Sequence, residues 1–480
     1  MNAPDVLFTT HEPRSAGLPA RPRVAVVGSG IAGLAAAWSL RRHANVTLYE
    51  AGEHFGGHVN TVDVTVDGVT HAVDTGFLVL NQRTYPGLLA LFAELGIDTA
   101  ASDMSFSVQR PRPGGGWLEW SGASLDTVFA QRGNLLRPAF WHMLRDIVRF
   151  NREATALARA GRGPEEDART VGEFLRQGRY GDPFVHGYFL PMVACIWSCP
   201  TAQMMAFPVA TMVRFCDNHG LLQVEGRPQW LTVPGGARRY VERIVAQLPD
   251  TRLCTPVLRV RRHDVGVEIA TPGGTEWFDH VVLACHSDQA LAVLADADAR
   301  ERQLLGAIRY QPNRAVVHTD ASLLPRLPKA RAAWNFESAV AADDLDAHAA
   351  GPAVCLHYLI NRLQPVPFGR PVVVSLNPLR EPDPRTVLRE ITYSHPVFDS
   401  AAIAAQREVE ALQGNRRSYF CGAWCGFGFH EDGLRSGQAA AQAWLEDRRQ
   451  LANSAAPGGP RSEAALGPLG GQRAAPGGSS

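Results

Sequence analysis

At 480 residues, 45% of them hydrophobic and 20% charged, the chain is long enough to bury a large core and to form two or three domains. Lys+Arg and Asp+Glu both number 47, so the formal charge is zero and no basic field exists to gather nucleic acid. No uncharged apolar stretch reaches the roughly 18 residues of a transmembrane segment, and residues 1–22 hold no signal-type apolar run; the expectation is a cytoplasmic protein.

Cysteines stand at positions 195, 199, 216, 254, 285, 355, 421 and 425. Two pairs are spaced C-x3-C and none has the C-x2-C spacing with a matching partner, so no metal is expected and the thiols are read as reduced.

Residues 1–22 read as a disordered N-terminus, and the pattern sharpens at Arg23. Val24–Val27 is a short apolar run suited to a strand buried on both faces. Gly28, Gly30 and Gly33 follow as G-x-G-x-x-G, with Ser29, Ile31 and Ala32 between them. The first glycine permits a tight turn, the second lets a pyrophosphate approach the backbone, and the third allows close helix–strand packing. Leu34–Leu40 continues as a helix whose N-terminus presents unpaired N–H groups and a positive dipole end. A second strand, Val46–Tyr49, ends on Glu50, with Ala51 beside it; the carboxylate is placed to accept from a ribose 2′-OH. Gly56 and Gly57 mark a second close approach of the backbone. "VDVTVDGVTHAVD" then alternates around Asp67-Gly68, a two-residue hairpin signal, and Thr84, Pro86 and Gly96 bracket an amphipathic helix.

Glu50, Gly56, Gly57 and His58 together resemble the E-x5-GG(R) extension of the flavin amine oxidase superfamily, which includes amine oxidases, protoporphyrinogen oxidases and phytoene-type desaturases. The resemblance runs from Arg23 to about Leu445 and implies FAD as the cofactor. In that superfamily the glycine pair lies along the pyrophosphate and ribityl chain; His58 stands where an arginine is usual. Thr75, Gly76 and Phe77, in "DTGFLVLNQRTYP", match the segment beneath the flavin ring. The chain is then expected to return twice to the FAD unit. The first return is "LTVPGGARRYVERI" and the strands after it, where Val257 matches a position whose backbone contacts adenine. The second is "YFCGAW", ending on Gly422, followed by a closing helix that includes Gly433, Leu434, Ser436 and Gly437. Relatives carry an acid after the glycine matching Gly422; here Ala423 and Trp424 follow, and Glu431 and Asp432 are the nearby acids. "GGHVNTV", "MVACIWSCP" and "GFGFHEDGLRSG" further resemble a bacterial subgroup of amine-oxidase-like proteins associated with fatty-acid modification.

The implied fold is α/β: a discontinuous Rossmann-type FAD-binding domain (23–75, 232–300, 415–451) with an α+β substrate domain (76–231, 301–414). Residues 452–480, rich in Gly, Pro and Ala, read as a disordered tail. The Met- and aromatic-rich stretch around Trp197, Met204 and Met205 fits either a buried helical core or an apolar substrate tunnel. Trp424, Phe427 and Phe429 are candidates for the substrate-side wall. "NLLRPAFWHMLRDIVRF" mixes arginines with large apolar residues, as solvated packing does and as a helix lying on anionic lipid does.

Amine oxidases of this superfamily commonly hold a lysine near the flavin. Counted from the strand "QPNRAVVHTD", that position falls on His318, while the sole lysine, Lys329, lies 11 residues away. His318 and His430 are the candidate proton acceptors, with His286 a third. The expected function is an FAD-dependent oxidoreductase passing a hydride from an apolar small molecule or lipid, such as an unsaturated fatty acyl chain, to flavin; the electron acceptor is left open. An amine oxidase releasing aldehyde and peroxide, a flavin-dependent isomerase and a non-catalytic flavoprotein are the alternatives.

Overall fold

The computed structural model describes residues 21–112, 115–160, 167–197, 204–223, 226–338 and 354–455. Most of the expected disordered N-terminus and tail, together with Cys199 and the side chain of Trp197, fall outside them.

Elements named here, in chain order, are β1 (Arg23–Val27), α1 (Ile31–Leu40), β2 (Asn45–Tyr49), α2 (Pro86–Leu95), β3 (Phe106–Pro111), β4 (Trp117–Ser121), α3 (Pro138–Arg159), α4 (Leu190–Trp197), α5 (Val209–Asn218), β5 (Asp250–Arg252), β6 (His280–Leu283), β7 (Arg309–His318), β8 (Trp334–Glu337), β9 (Cys355–Leu359), β10 (Val373–Leu376), β11 (Val387–Val397), β12 (Ser418–Phe420) and α6 (His430–Ala455).

One sheet is wholly parallel, in the order β5-β2-β1-β6-β12. Its strands come from three stretches of chain far apart in sequence. Val24–Val27 of β1 are buried, as a strand covered on both faces must be, and α1 packs on it with every residue but Ser39 buried. α1 and α6 lie against each other through small residues: a Cβ on Gly433 would stand 2.6 Å from Ile31 Cγ2, and one on Gly437 would overlap the Ala32 carbonyl.

The second sheet has seven strands in the order β11-β7-β10-β9-β8-β3-β4, antiparallel except for β8 beside β3. Its two faces differ in chemistry. Phe106, Trp334, Tyr358 and Leu376 share one face; Ser107, Asn335, His357 and Ser375 share the other. Helices α3, α4 and α5 pack with this sheet around the larger apolar core, which includes Phe150, Phe184, Phe189 and Phe215.

Local signals convert into geometry as expected. Asp67 and Gly68 both take positive φ (50° and 81°) in the hairpin joining Thr61–Val66 to Val69–Asp74. α2 opens with Pro86 and closes on Gly96 at φ 64°, and Thr170 and Glu173 form a reciprocal capping box. α6 starts at His430, three residues ahead of Gly433.

Candidate active site

A cavity of about 680 Å³ runs from the β1–α1 turn to the apolar face of the seven-stranded sheet. Gly28, Ser29, Gly30, Ile31 and Ala32 line its one end, with Glu50, Ala51, Gly56, Gly57, His58, Thr75, Gly76, Phe77, Val257 and Gly422. Trp424, Phe427, Phe429 and His430 line it from the third stretch of chain.

Backbone geometry makes the turn a cradle. Gly28 adopts φ 101°, and a Cβ there would stand 2.9 Å from the Ala284 carbonyl oxygen. An added Cβ on Gly30 would meet nothing within 4 Å, so the cavity side of the turn is open. Gly30 caps α1 without any side-chain hydrogen bond, so the helix's first N–H groups are not consumed by a cap. Gly56 bridges to Gly30, and its N–H donates to Ser29 Oγ (3.1 Å), seating the glycine pair on the turn. Glu50 accepts from Ser29 N–H (3.0 Å) and Ser29 Oγ (2.5 Å) through one oxygen and from Gly52 N–H (2.8 Å) through the other. Those bonds fix the carboxylate at the edge of β2.

His58 is enclosed by rings. It stacks on Tyr393 (5.0 Å), with His395 at 5.2 Å and His286 at 6.4 Å. Its Nε2 is buried with no hydrogen-bond partner. Burial first, then the neighbouring histidines 395, 286 and 430, hold its imidazole well below its ordinary pKa. An unpaired buried nitrogen beside an open cradle of N–H groups is what a bound anion would satisfy, so the residues present fit a dinucleotide's pyrophosphate.

Four of the residues expected at the site do not line the cavity; for Gly33 this is the packing role expected of it, and for the other three it is a correction. Gly33 packs against Gly28 and the Ala284 side chain, and does not line the cavity. Gly433 and Leu434 are likewise committed to helix packing, Gly433 against Ile31 and Leu434 in the core around α1 and α2. His318 is the fourth. It pairs with Val373 and shares the polar face of the sheet, because residue parity along β7 turns it away from the face bearing Trp334 and Tyr358. There Asp320 N–H donates to His318 Nδ1 (3.1 Å), which leaves the ring proton on Nε2, facing Ser375 Oγ at 2.7 Å. Ser375 Oγ also contacts His357 Nδ1 (2.6 Å), and His357 Nε2 lies 3.0 Å from Glu337, itself paired with Arg380 at 2.7 and 2.9 Å. His318 is thus spent in a buried polar network. Lys329 is exposed and pairs with Asp126 at 2.8 Å, also outside the cavity.

His430 does reach the cavity. It stacks on Phe77 (4.0 Å, 15°), bonds Tyr240 Oη through Nε2 (2.6 Å), and burial pushes its pKa down to about 3. The two nearby acids serve main chain. Glu431 accepts Gly87 N–H (2.8 Å) and Leu88 N–H (2.9 Å), capping α2. Asp432 Oδ2 accepts Phe427 N–H and Phe429 N–H, both at 3.0 Å, and burial raises its carboxyl to about 6. Trp424 folds back over Gly422 and donates Nε1–H to the Cys285 carbonyl (3.1 Å). Met204 is buried in the apolar core, and Met205 packs against it.

Met192 and Phe215, from the Met- and aromatic-rich stretch, do line the cavity, but sequence reasoning missed the rest of the far wall: Met104, Phe106, Trp334 and Tyr358. Alternation within β3, β8 and β9 could have placed Phe106, Trp334 and Tyr358 on one face, but not which face. It also missed Tyr393 and His395, whose strand lies remote from every glycine motif. Among the described lining residues no Lys or Arg occurs, and Glu50 is the sole carboxylate.

Residues 31–319, more than half of the chain, match the family described as flavin containing amine oxidoreductase. The chain belongs to this family, whose cofactor is FAD. It is 28% identical over 285 residues to a protein named as a flavin-containing monoamine oxidase, AofH, of Mycobacterium tuberculosis, covering 57% of this chain and 59% of that one. It is 30% identical over 312 residues to carotenoid phi-ring synthase of Streptomyces griseus, covering 58% and 56%. The chain therefore spans somewhat over half the length of the curated relatives it matches. A CLA-producing fatty acid isomerase from P. acnes shares the fold, with a TM-score of 0.60 at 15% identity over 89% of this chain and 100% of that one.

Proposed function

We propose that this protein is an FAD-dependent oxidoreductase acting on an apolar, uncharged substrate, first among them an unsaturated fatty acyl chain oxidised next to its double bond. The observation that carries this reading is the cavity wall. An ammonium substrate is usually met by an aromatic cage or a free carboxylate; rings line this cavity, but its one carboxylate, Glu50, is already held by Ser29 and Gly52. An uncompensated charge in such a site costs several kcal/mol, on the order of a thousandfold in affinity. Met104, Phe106, Met192, Leu376 and the rings of Trp334 and Tyr358 instead offer dispersion contacts to a hydrocarbon chain.

FAD, when bound, supplies the hydride acceptor. The β1–α1 amides, Gly56, Gly57 and His58 would hold its pyrophosphate, and Glu50 its ribose. Phe77 and His430 form a stacked pair that fixes one wall, and Trp424, Phe427 and Phe429 close another. His430, kept neutral by burial, is the histidine positioned to hold a hydrogen bond at the start of α6. The enzyme meets its lipid at a bilayer surface, and a separate oxidant restores the flavin.

Purified protein with FAD, kept without oxygen, is mixed with neutral and acyl lipids and with primary amines and polyamines. Bleaching by lipids supports the proposal. Bleaching by amines alone, with peroxide formed in air, replaces it by amine oxidation.

A further inference from the structure

The outer face of α3 and the segment before it is exposed, apolar and basic at once. Leu125 is 79% exposed, Leu136 88% and Val148 62%, with Leu135 and Trp141 about half exposed. These five fall within 24 residues; among the described residues a second group, Leu253, Leu258, Val265 and Trp277, lies on another stretch, and Val69, Phe427 and Leu451 stand apart. Specific contacts hold them as one surface. Trp141 donates Nε1–H to the Leu135 carbonyl (2.9 Å) and packs its ring on Phe129 (5.2 Å). Arg132 and Lys329 both pair with Asp126, next to Leu125. Trp141, Arg145, Val148 and Arg152 recur at helical spacing along the solvent side of α3.

Charge is just as asymmetric. The chain as a whole is neutral, yet residues 132–159 carry six arginines and two acids. Neither acid faces solvent freely: Asp146 is buried and accepts Gly181 N–H, and Glu153 accepts the Tyr180 hydroxyl (2.6 Å). Arg137, Arg145 and Arg152 are exposed around the leucines and Trp141. Exposed leucines cost free energy in water and gain it in an acyl layer, while the arginines match anionic headgroups. The inner side of α3 packs on α5, whose Phe215 lines the cavity, so a single helix layer separates this face from the site.

We propose that this face docks on the surface of an anionic lipid bilayer, with Leu125, Leu135, Leu136 and Trp141 entering the interface and the arginines contacting headgroups. The inference deepens the lipid reading by naming where the enzyme would collect its substrate, but docking itself is independent of turnover.

Flotation of the full-length, FAD-loaded protein with phosphatidylcholine vesicles, with or without phosphatidylglycerol, tests it. Binding is expected only to the anionic vesicles and should weaken with salt. Neutralising Arg137 and Arg145 (R137Q, R145Q) should lower partitioning about fivefold each, the worth of one surface arginine at an anionic leaflet. Leu136→Asp should abolish it while an unchanged flavin spectrum shows that the fold survives. No binding to anionic vesicles, or binding indifferent to all three substitutions, overturns the proposal. Loss of docking with retained bleaching by micellar lipid would sink neither fold nor chemistry, whereas docking without any lipid bleaching would point to failure of the substrate reading alone.

Discussion

Gly437 of α6 sits so close to Ala32 of α1 that any side chain on it would occupy the space of the Ala32 carbonyl oxygen. That contact locks α6 onto the helix that follows the glycine-rich β1–α1 turn. Gly437→Ala must therefore push backbone, while Gly433→Ala has only the Ile31 methyl to displace. We expect G437A to lower stability by about 1–3 kcal/mol or more, and G433A by less. Thermal unfolding followed with bound-flavin quantification gives the order. Equal tolerance of both changes would show that the helices are not packed as described.

Asp432 ties the aromatic 427–429 loop to α6 by taking the N–H groups of Phe427 and Phe429 on one oxygen. Asp432→Ala frees both amides and lets that loop move, while Asp432→Asn keeps an acceptor. Replacing the acceptor by Ala costs about 1–2 kcal/mol at such caps. D432A should raise the Kd for an apolar ligand several-fold with flavin content unchanged, and D432N should recover most of the loss. Equilibrium ligand titration against the flavin absorbance reads this directly; flavin loss from D432A would assign the residue to the cofactor instead.

His58 is an imidazole held well below its ordinary pKa, with its Nε2 unpaired beside the N–H cradle. A bound pyrophosphate would favour its protonated form, so FAD binding should take up a proton and tighten as pH falls from 7.5 to about 6.5. His58→Ala should weaken FAD binding and remove that pH dependence. Calorimetry in buffers of different ionisation enthalpy counts the proton; zero uptake would exclude the role.

Burial holds the imidazoles of His280 and His318, neither of which lines the cavity, down to about 4. Below the ordinary value near 6.5 the unfolded chain takes protons that the folded chain refuses, so stability is lost as pH falls through that window, by at most about 1.4 kcal/mol per unit for each histidine. Asp74 opposes them. Burial raises its carboxyl to about 6 despite bonds from Thr61, Ala237 and Gln364, so the folded chain binds that proton first and gains stability on acidification. His219 and His395 also shift down to about 4, so the histidines prevail. The urea midpoint at pH 5 should lie below that at pH 7; a higher one would reverse the assignment.

Much of this was legible where chemistry is local. The G-x-G-x-x-G turn, the Asp67-Gly68 hairpin and the α2 helix between Pro86 and Gly96 are each fixed by a few neighbouring residues, whereas the closing-helix glycines were readable only through the family resemblance. What failed was long-range. The side of the sheet on which His318 falls depends on its pairing with Val373, a partner 55 residues away. Glu431 and Asp432 were legible as acids near a ligand, but which amides they would bind depended on α2 and the 427–429 loop folding against them. The hydrocarbon-lined wall, assembled from β3, β8, β9 and β10, carries no motif at all.

The central claim is that this flavin cavity receives a chain without charge. Two ligands of equal chain length, a neutral fatty ester and the corresponding alkylammonium, should be titrated into the oxygen-free holoprotein while the flavin spectrum is followed. The ester is expected to bind at least about tenfold more tightly, because no free carboxylate awaits the ammonium. Tighter binding of the ammonium would contradict the reading and return the protein to amine chemistry.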